Sequence, residues 1–186
     1  MRWDRLFDDL EGQLAQEQRG ELEAEIADRT RRERATVHVL DRLAASHGEI
    51  AVVLRGERRL AGSVSDVGRD FLIVAERVRH LVPLAAVLEV SGLTDRAVGP
   101  GTAAALRRFG LGYALRGLAR DRAVVVLGDV TGRALSGRIG VVGADYLELT
   151  PGEVGQRRGV ERPSVRVIPF AAVACVTGTD PGHAVL

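Results

Sequence analysis

At 186 residues, 46% hydrophobic but only 4% aromatic, the chain has room for one domain or two small ones with cores of Val, Leu, Ile and Ala. Its 26 basic residues are all arginine and offset 25 acidic ones to a net charge of +1, far from the profile of a committed nucleic-acid binder. Without lysine there is no P-loop lysine, Schiff base or kinase-type lysine, and with Cys175 alone there is no disulfide framework.

The first element is helical. Trp3, Phe7, Leu10 and Leu14, then Leu22 and Ile26, then Val37, Leu40 and Leu43 recur mostly at helical spacing, without proline, so a helix or helical hairpin is predicted over residues 2–46. Gly20 is the point where it would divide. Arg29, Thr30 and Glu33 make its middle polar. Such a helix is far longer than a small barrel is wide, and the simplest partner for its apolar stripe is a second copy. Ser46-His47-Gly48 supplies the stop.

Strands follow at Ala51–Leu54, Leu60–Val64, Phe71–Val74, Val78–Leu84 and Val87–Val90, separated by short turns, as in a small closed sheet. Gly99-Pro100-Gly101 introduces a helix over residues 102–120, with Thr102 as its N-cap and Gly110 and Gly112 as weak points. A second strand-rich segment runs over residues 122–178. It carries an insertion, Pro151 to Ser164, where the first segment has only Ala75-Glu76-Arg77.

The two strand-rich segments repeat each other. Gly62-Ser63-Val64-Ser65-Asp66-Val67-Gly68-Arg69-Asp70-Phe71-Leu72-Ile73-Val74 matches Gly137-Arg138-Ile139-Gly140-Val141-Val142-Gly143-Ala144-Asp145-Tyr146-Leu147-Glu148-Leu149. Val82-Pro83-Leu84-Ala85-Ala86-Val87 likewise matches Ile168-Pro169-Phe170-Ala171-Ala172-Val173. Gly62 and Gly137 fall inside strands, where a missing side chain permits a sharp bend. Asp70 and Asp145 suit turn aspartates that bond their own backbone.

This order of a bent glycine-bearing strand, an Asp-aromatic-Leu strand and an aliphatic-Pro-x-Ala-Ala-Val block resembles the Sm-like barrels, within the broader SH3-like class. With the two helical segments read from apolar spacing, the resemblance implies an α+β fold: an N-terminal long helix or helical hairpin, then two small five-stranded barrels joined by a helical linker. The corresponding divisions are an arm over 1–48, a first barrel over 50–93, a linker over 94–121, a second barrel over 122–178 and a tail over 179–186. The RNA-binding members read a base with an Asn and an Arg-Gly pair. This chain has Phe71-Leu72 and Tyr146-Leu147, then Ser91-Gly92 and Thr177-Gly178, at those places, so that pocket does not carry over. The opening Trp3-Asp4-Arg5-Leu6-Phe7-Asp8-Asp9-Leu10-Glu11 resembles that of a family of actinobacterial proteins, and this likeness brings no activity with it.

His38, His47, His80 and His183 lack metal-ligand spacing, and no nucleophile elbow or strand-borne dinucleotide loop occurs. No catalytic, metal-binding or cofactor-binding residue is therefore assigned, and an enzyme is not expected. Arg107, Arg108, Arg116, Arg120 and Arg122 are the candidate nucleic-acid contacts, with Arg116 and Arg120 one helical turn apart but no aromatic stacking platform evident beside them. The reading that results is a cytoplasmic, non-enzymatic interaction or scaffold protein, self-associating through its N-terminal helix and binding a protein partner. The alternative is a nucleic-acid-binding regulator of RNA or DNA that uses the central arginines. No apolar stretch approaches the ~20 residues of a membrane span.

Overall fold

A computed structural model describes residues 2–152 and 164–178. Residues 153–163 of the predicted insertion Pro151 to Ser164, the tail with His183, and the side chains of Trp3, Phe7, Leu10 and Leu14 lie outside the described residues. The chain divides into two compact units, Met1–His38 and Val39–Leu186.

The first unit is the helix α1, Arg2–Ala35. It ends well before residue 46 because Thr36 turns back on it. The Thr36 hydroxyl donates to the Glu33 carbonyl at 2.8 Å, and the last turn tightens through Thr36 N–H to Glu33 O and Val37 N–H to Arg34 O, both 3.2 Å. A threonine that bonds its own turn competes with helix continuation.

The second unit opens with α2, Val39–Ala44, which buries Leu40 and Leu43. Five strands follow: β1 Glu49–Leu54, β2 Arg59–Val67, β3 Phe71–Ala75, β4 Arg79–Pro83 and β5 Val87–Ser91. Helices α3, Pro100–Leu106, and α4, Leu111–Arg120, lead into β6 Val124–Asp129, β7 Ala134–Val142, β8 Tyr146–Pro151, β9 Arg166–Pro169 and β10 Val173–Gly178. The predicted single helix over 102–120 is thus two helices. The first starts earlier than expected, with Gly99 rather than Thr102 as N-cap and Pro100 as its first residue, where the missing N–H costs nothing.

Each repeat lays its strands out alike. The first runs β5-β1-β2-β3-β4 and the second β10-β6-β7-β8-β9. A register shift lies between Val64 and Asp66 in β2 and between Ile139 and Val142 in β7, at equivalent points. At Gly62 an added Cβ would collide with the Ala75 carbonyl, and at Gly137 with that of Thr150, so the bend in each repeat requires glycine. Between β4 and β5, and again between β9 and β10, a single 3-10 turn is held by a carbonyl of the distant aspartate. Leu84 N–H donates to Asp70 O at 2.8 Å, and Phe170 N–H to Asp145 O at 2.7 Å.

The expected arrangement, a long helix followed by two separate five-stranded barrels, is not the one formed. β4 pairs antiparallel with β10, Leu81 opposite Val176 and His80 opposite Thr177, and the two repeats become one ten-stranded antiparallel sheet. The cores also cross the seam. Phe71, Ile73 and Leu81 of the first repeat pack in one cluster with Leu111, Ala114, Leu115 and Leu118 of α4 and with Leu127 and Leu147 of the second. Cys175 of the second repeat packs in the cluster of Val52, Leu54, Leu72 and Val82 of the first. Apolar side chains on both faces of β3 and β4 need cover on both sides, and a separate barrel would leave one side wet.

Candidate functional site

The corner between α3 and α4 gathers most of the unusual chemistry of the second unit. Gly110, the N-cap residue of α4, has an extended backbone and no side chain to offer the helix. Asp70, from the turn between β2 and β3, supplies the missing cap: its Oδ1 accepts the Leu111 N–H at 2.7 Å. Arg69 N–H donates to the Phe109 carbonyl at 2.8 Å. The Asp70 carboxylate, expected to serve its own turn, instead fixes where α4 begins, and a negative group there also suits the helix dipole. Asp145 has the same backbone role but, among the described residues, caps no helix.

α4 buries Leu111, Ala114, Leu115 and Leu118, which leaves Tyr113, Arg116 and Arg120 on its exposed side. Of the five candidate arginines, Arg107 is committed elsewhere. Its guanidinium lies 2.9 and 2.8 Å from the two carboxylate oxygens of Asp41, tying the end of α3 to α2. Arg108, Arg116, Arg120 and Arg122 are exposed, and among the described residues none of the four has an acidic partner within salt-bridge distance. Arg116 and Arg120 share a face; Arg108 lies before α4 and Arg122 after it, at a positive φ of 52°.

Sequence reasoning missed a cavity beside this face. It holds about 490 Å³ and is lined chiefly by Val67, Gly68, Phe71, Leu106, Phe109 and Tyr113. The Phe109 and Tyr113 rings sit 4.4 Å apart, centroid to centroid, tilted by 30°, and both are partly exposed. Their spacing across the Gly110 break, in a chain so poor in aromatics, is the signal that marks the place. Tyr113 lies one helical turn from Arg116 on the exposed side of α4, so aromatic surface does accompany the arginines. Asp66, at the margin, accepts the Val67 N–H at 2.7 Å.

Three titratable groups have shifted affinities. Burial pushes the His80 pKa below its ordinary 6.5, the Arg58 guanidinium adds to that, and Glu76 opposes it. His80 sits at the seam, its Nδ1 2.9 Å from Thr177 Oγ1. Burial pushes the Cys175 thiol up, which keeps it protonated and unreactive. The Thr131 hydroxyl, donating to Asp129 Oδ1 at 2.6 Å, holds that carboxyl below its usual range and fixes the turn between β6 and β7. Among the described residues no three His, Cys, Asp or Glu side chains gather as metal ligands, and no helix is long and apolar enough to cross a membrane. No protein-family model matches the chain, and no curated protein matches it in sequence.

Proposed function

We propose that the protein is a non-enzymatic interaction or scaffold protein that self-associates through α1. One observation supports this above others: every side chain of α1 from Leu22 to Ala35 is exposed, Leu22 and Ile26 included. A helix of 34 residues extends ~50 Å, and helices in proteins draw most of their stability from packing an apolar face. Leu22 and Ile26 lie one turn apart on such a face, and the exposed Arg29–Glu33 pair at 3.1 Å is too weak to replace that packing. A second copy of α1 supplies the missing apolar surface. Replacing Leu22 and Ile26 together by Glu should lower the sedimenting mass and leave the urea unfolding of the sheet unchanged. Identical sedimentation of parent and variant at every concentration would refute the reading. The proposal places the protein in the cytoplasm, where a lone thiol such as Cys175 stays reduced.

A second reading, contact with single-stranded RNA or DNA, draws on Tyr113, Arg116 and Arg120 on one side of α4, with Phe109 beside them. It predicts oligonucleotide binding that weakens with salt and is lost when Arg116 and Arg120 are replaced by Glu. Binding indifferent to that double change removes this reading.

A further inference from the structure

The construction of the sheet does not account for Asp66. Aspartate is disfavoured in strands, and its counterpart in the second repeat is Val141. β2 and β7 share a register shift at this point, and such irregularities re-aim side chains. Only the first repeat sets a carboxylate there. Its Oδ1 accepts the Val67 N–H, and among the described residues the carboxylate has no ion pair. Asp66 lines the cavity of about 490 Å³ and also an adjoining one of about 180 Å³, and Val67, Thr102 and Leu106 line both. We propose that this double cavity binds a small organic cation, its apolar body held by Phe71, Phe109 and Tyr113 and its protonated amine paired with Asp66.

Three observations carry this. The first is the wall. Three of the chain's seven aromatic residues line the larger cavity, with Val67, Ala105 and Leu106 supplying apolar surface between them. Sites for small molecules are mostly apolar clefts of about 300–1,000 Å³ with few polar groups. The second is charge. Among the described residues, Asp66 is the only charged one lining either cavity, although the chain has 26 basic residues. A carboxylate on an apolar wall, with no arginine among its neighbours in the lining, attracts a cation and rejects an anion. Aromatic faces act in the same sense, since the ring quadrupole attracts cations. The third is that the site is already formed. Asp70 caps α4, and Arg69 N–H holds the Phe109 carbonyl at 2.8 Å, so the Phe109 and Tyr113 rings are fixed against the turn between β2 and β3. A preformed site loses little binding free energy to ordering.

Thr102 adds a further polar group. Expected to cap α3, it lies instead inside the first turn, because Gly99 is the cap. Its hydroxyl is thus free of that duty, on the wall that both cavities share with Asp66. A carboxylate and a hydroxyl can together accept two N–H donors of an ammonium. The amine then sits at the boundary between the cavities, with the ring or chain of the ligand in the larger one. The smaller one, bounded by Ala44, Val64 and Val98, has room for a short aliphatic substituent on the nitrogen. The class recognised is an aromatic or aliphatic amine and not an amino acid, whose own carboxylate would be repelled by Asp66.

The test is fluorescence titration of the full chain with dansylcadaverine, a naphthalene ring carrying a protonated amine on a flexible chain. Dansylamide is its neutral relative and dansylglycine its anionic one. Dansylcadaverine should bind saturably with blue-shifted emission, about tenfold or more tighter than dansylglycine, with dansylamide between them. Asp66→Asn keeps an acceptor for the Val67 N–H, so it should fold, and it should bring the three affinities together. Ala105→Trp fills the larger cavity from an exposed position and should abolish binding of all three. Tyr113→Leu, also at an exposed position, should weaken dansylcadaverine several-fold by removing one ring. Urea unfolding verifies that each variant is folded. Arg116→Ala with Arg120→Ala should not weaken dansylcadaverine, because neither arginine lines the cavity. No saturable binding, equal affinity for the three probes, or a preference that survives Asp66→Asn would each overturn the proposal. So would binding indifferent to both Ala105→Trp and Tyr113→Leu, or lost with the two arginines. Failure here leaves self-association through α1 standing, since that is read by sedimentation.

Discussion

Asp70 and Asp145 occupy the same place in the repeat, yet among the described residues only Asp70 meets a helix end, so replacing each by alanine isolates the cap. The Asp70 carboxylate accepts the Leu111 N–H at 2.7 Å, and α4 has no capping side chain of its own. Losing a cap of this type costs ~1 kcal/mol. Losing the negative charge at the helix N-terminus adds ~0.3–1 kcal/mol. The sum for Asp70→Ala is therefore roughly 1–2 kcal/mol. With a urea dependence of about 1–3 kcal/mol per molar, the midpoint should fall by about 0.3–2 M. Asp145→Ala leaves the Phe170 N–H bond to the residue 145 carbonyl in place and should stay within ~0.5 kcal/mol of the parent. Asp70→Asn keeps an acceptor without the charge and should fall between the two. Urea unfolding followed by circular dichroism at fixed protein concentration measures all three. Equal losses for Asp70→Ala and Asp145→Ala would show that the carboxylate serves its own turn, and the reasoning about α4 would be wrong.

Arg107→Ala removes the guanidinium that spans both oxygens of the mostly buried Asp41, and should cost ~1–3 kcal/mol in urea unfolding, the range held down by the partial exposure of Arg107. It should leave any oligonucleotide affinity unchanged, which separates Arg107 from Arg116 and Arg120. Gly62→Ala and Gly137→Ala each place a methyl against a backbone carbonyl and should destabilise by ~1–3 kcal/mol, whereas Gly99→Ala, in open space, should have a far smaller effect. His80 has a pKa below 6.5 in the fold, so between 6.5 and that lower value the unfolded chain takes up a proton that the folded one does not. Stability should be full above pH 6.5 and fall as the pH drops through this window, and urea midpoints for His80→Gln should show a flatter profile there.

The repeat, the bend glycines and the strands of the first repeat were legible because each rests on local pattern: period-two alternation, Gly-bearing turns and matched spacing. The seam was not, because strand pairing between distant segments leaves no local mark. A trace of it exists all the same. Phe71-Leu72-Ile73-Val74 is apolar throughout, which suits a strand covered on both faces, and all four residues are buried. Tyr146-Leu147-Glu148-Leu149 alternates, and Leu147 and Leu149 are buried with Tyr146 and Glu148 half-buried between them. Two copies of one element with different periodicities report different neighbours. The early end of α1 was hidden for another reason: Val37, Leu40 and Leu43 keep helical spacing across the break, so apolar periodicity cannot see the Thr36 hydroxyl turning back on Glu33. The five arginines were separable only in three dimensions, since the bond from Arg107 to Asp41 spans 66 positions.

A tandem repeat that joins by unlike edges always keeps one of each edge at its ends, and the residues that differ between the copies fit that constraint. The inner seam forms within one chain, so it can be apolar: Leu81 and Cys175 are fully buried there, with Ile73 behind them. The outer edges meet water whenever the chain is alone, and there Cys175 is matched by Glu89, His80 by Arg166 and Ile73 by Glu148. Charge on an edge strand discourages indiscriminate pairing. The charges at Glu89, Glu148 and Arg166 therefore guard the two free edges, while the seam inside the chain needs no such guard and stays apolar.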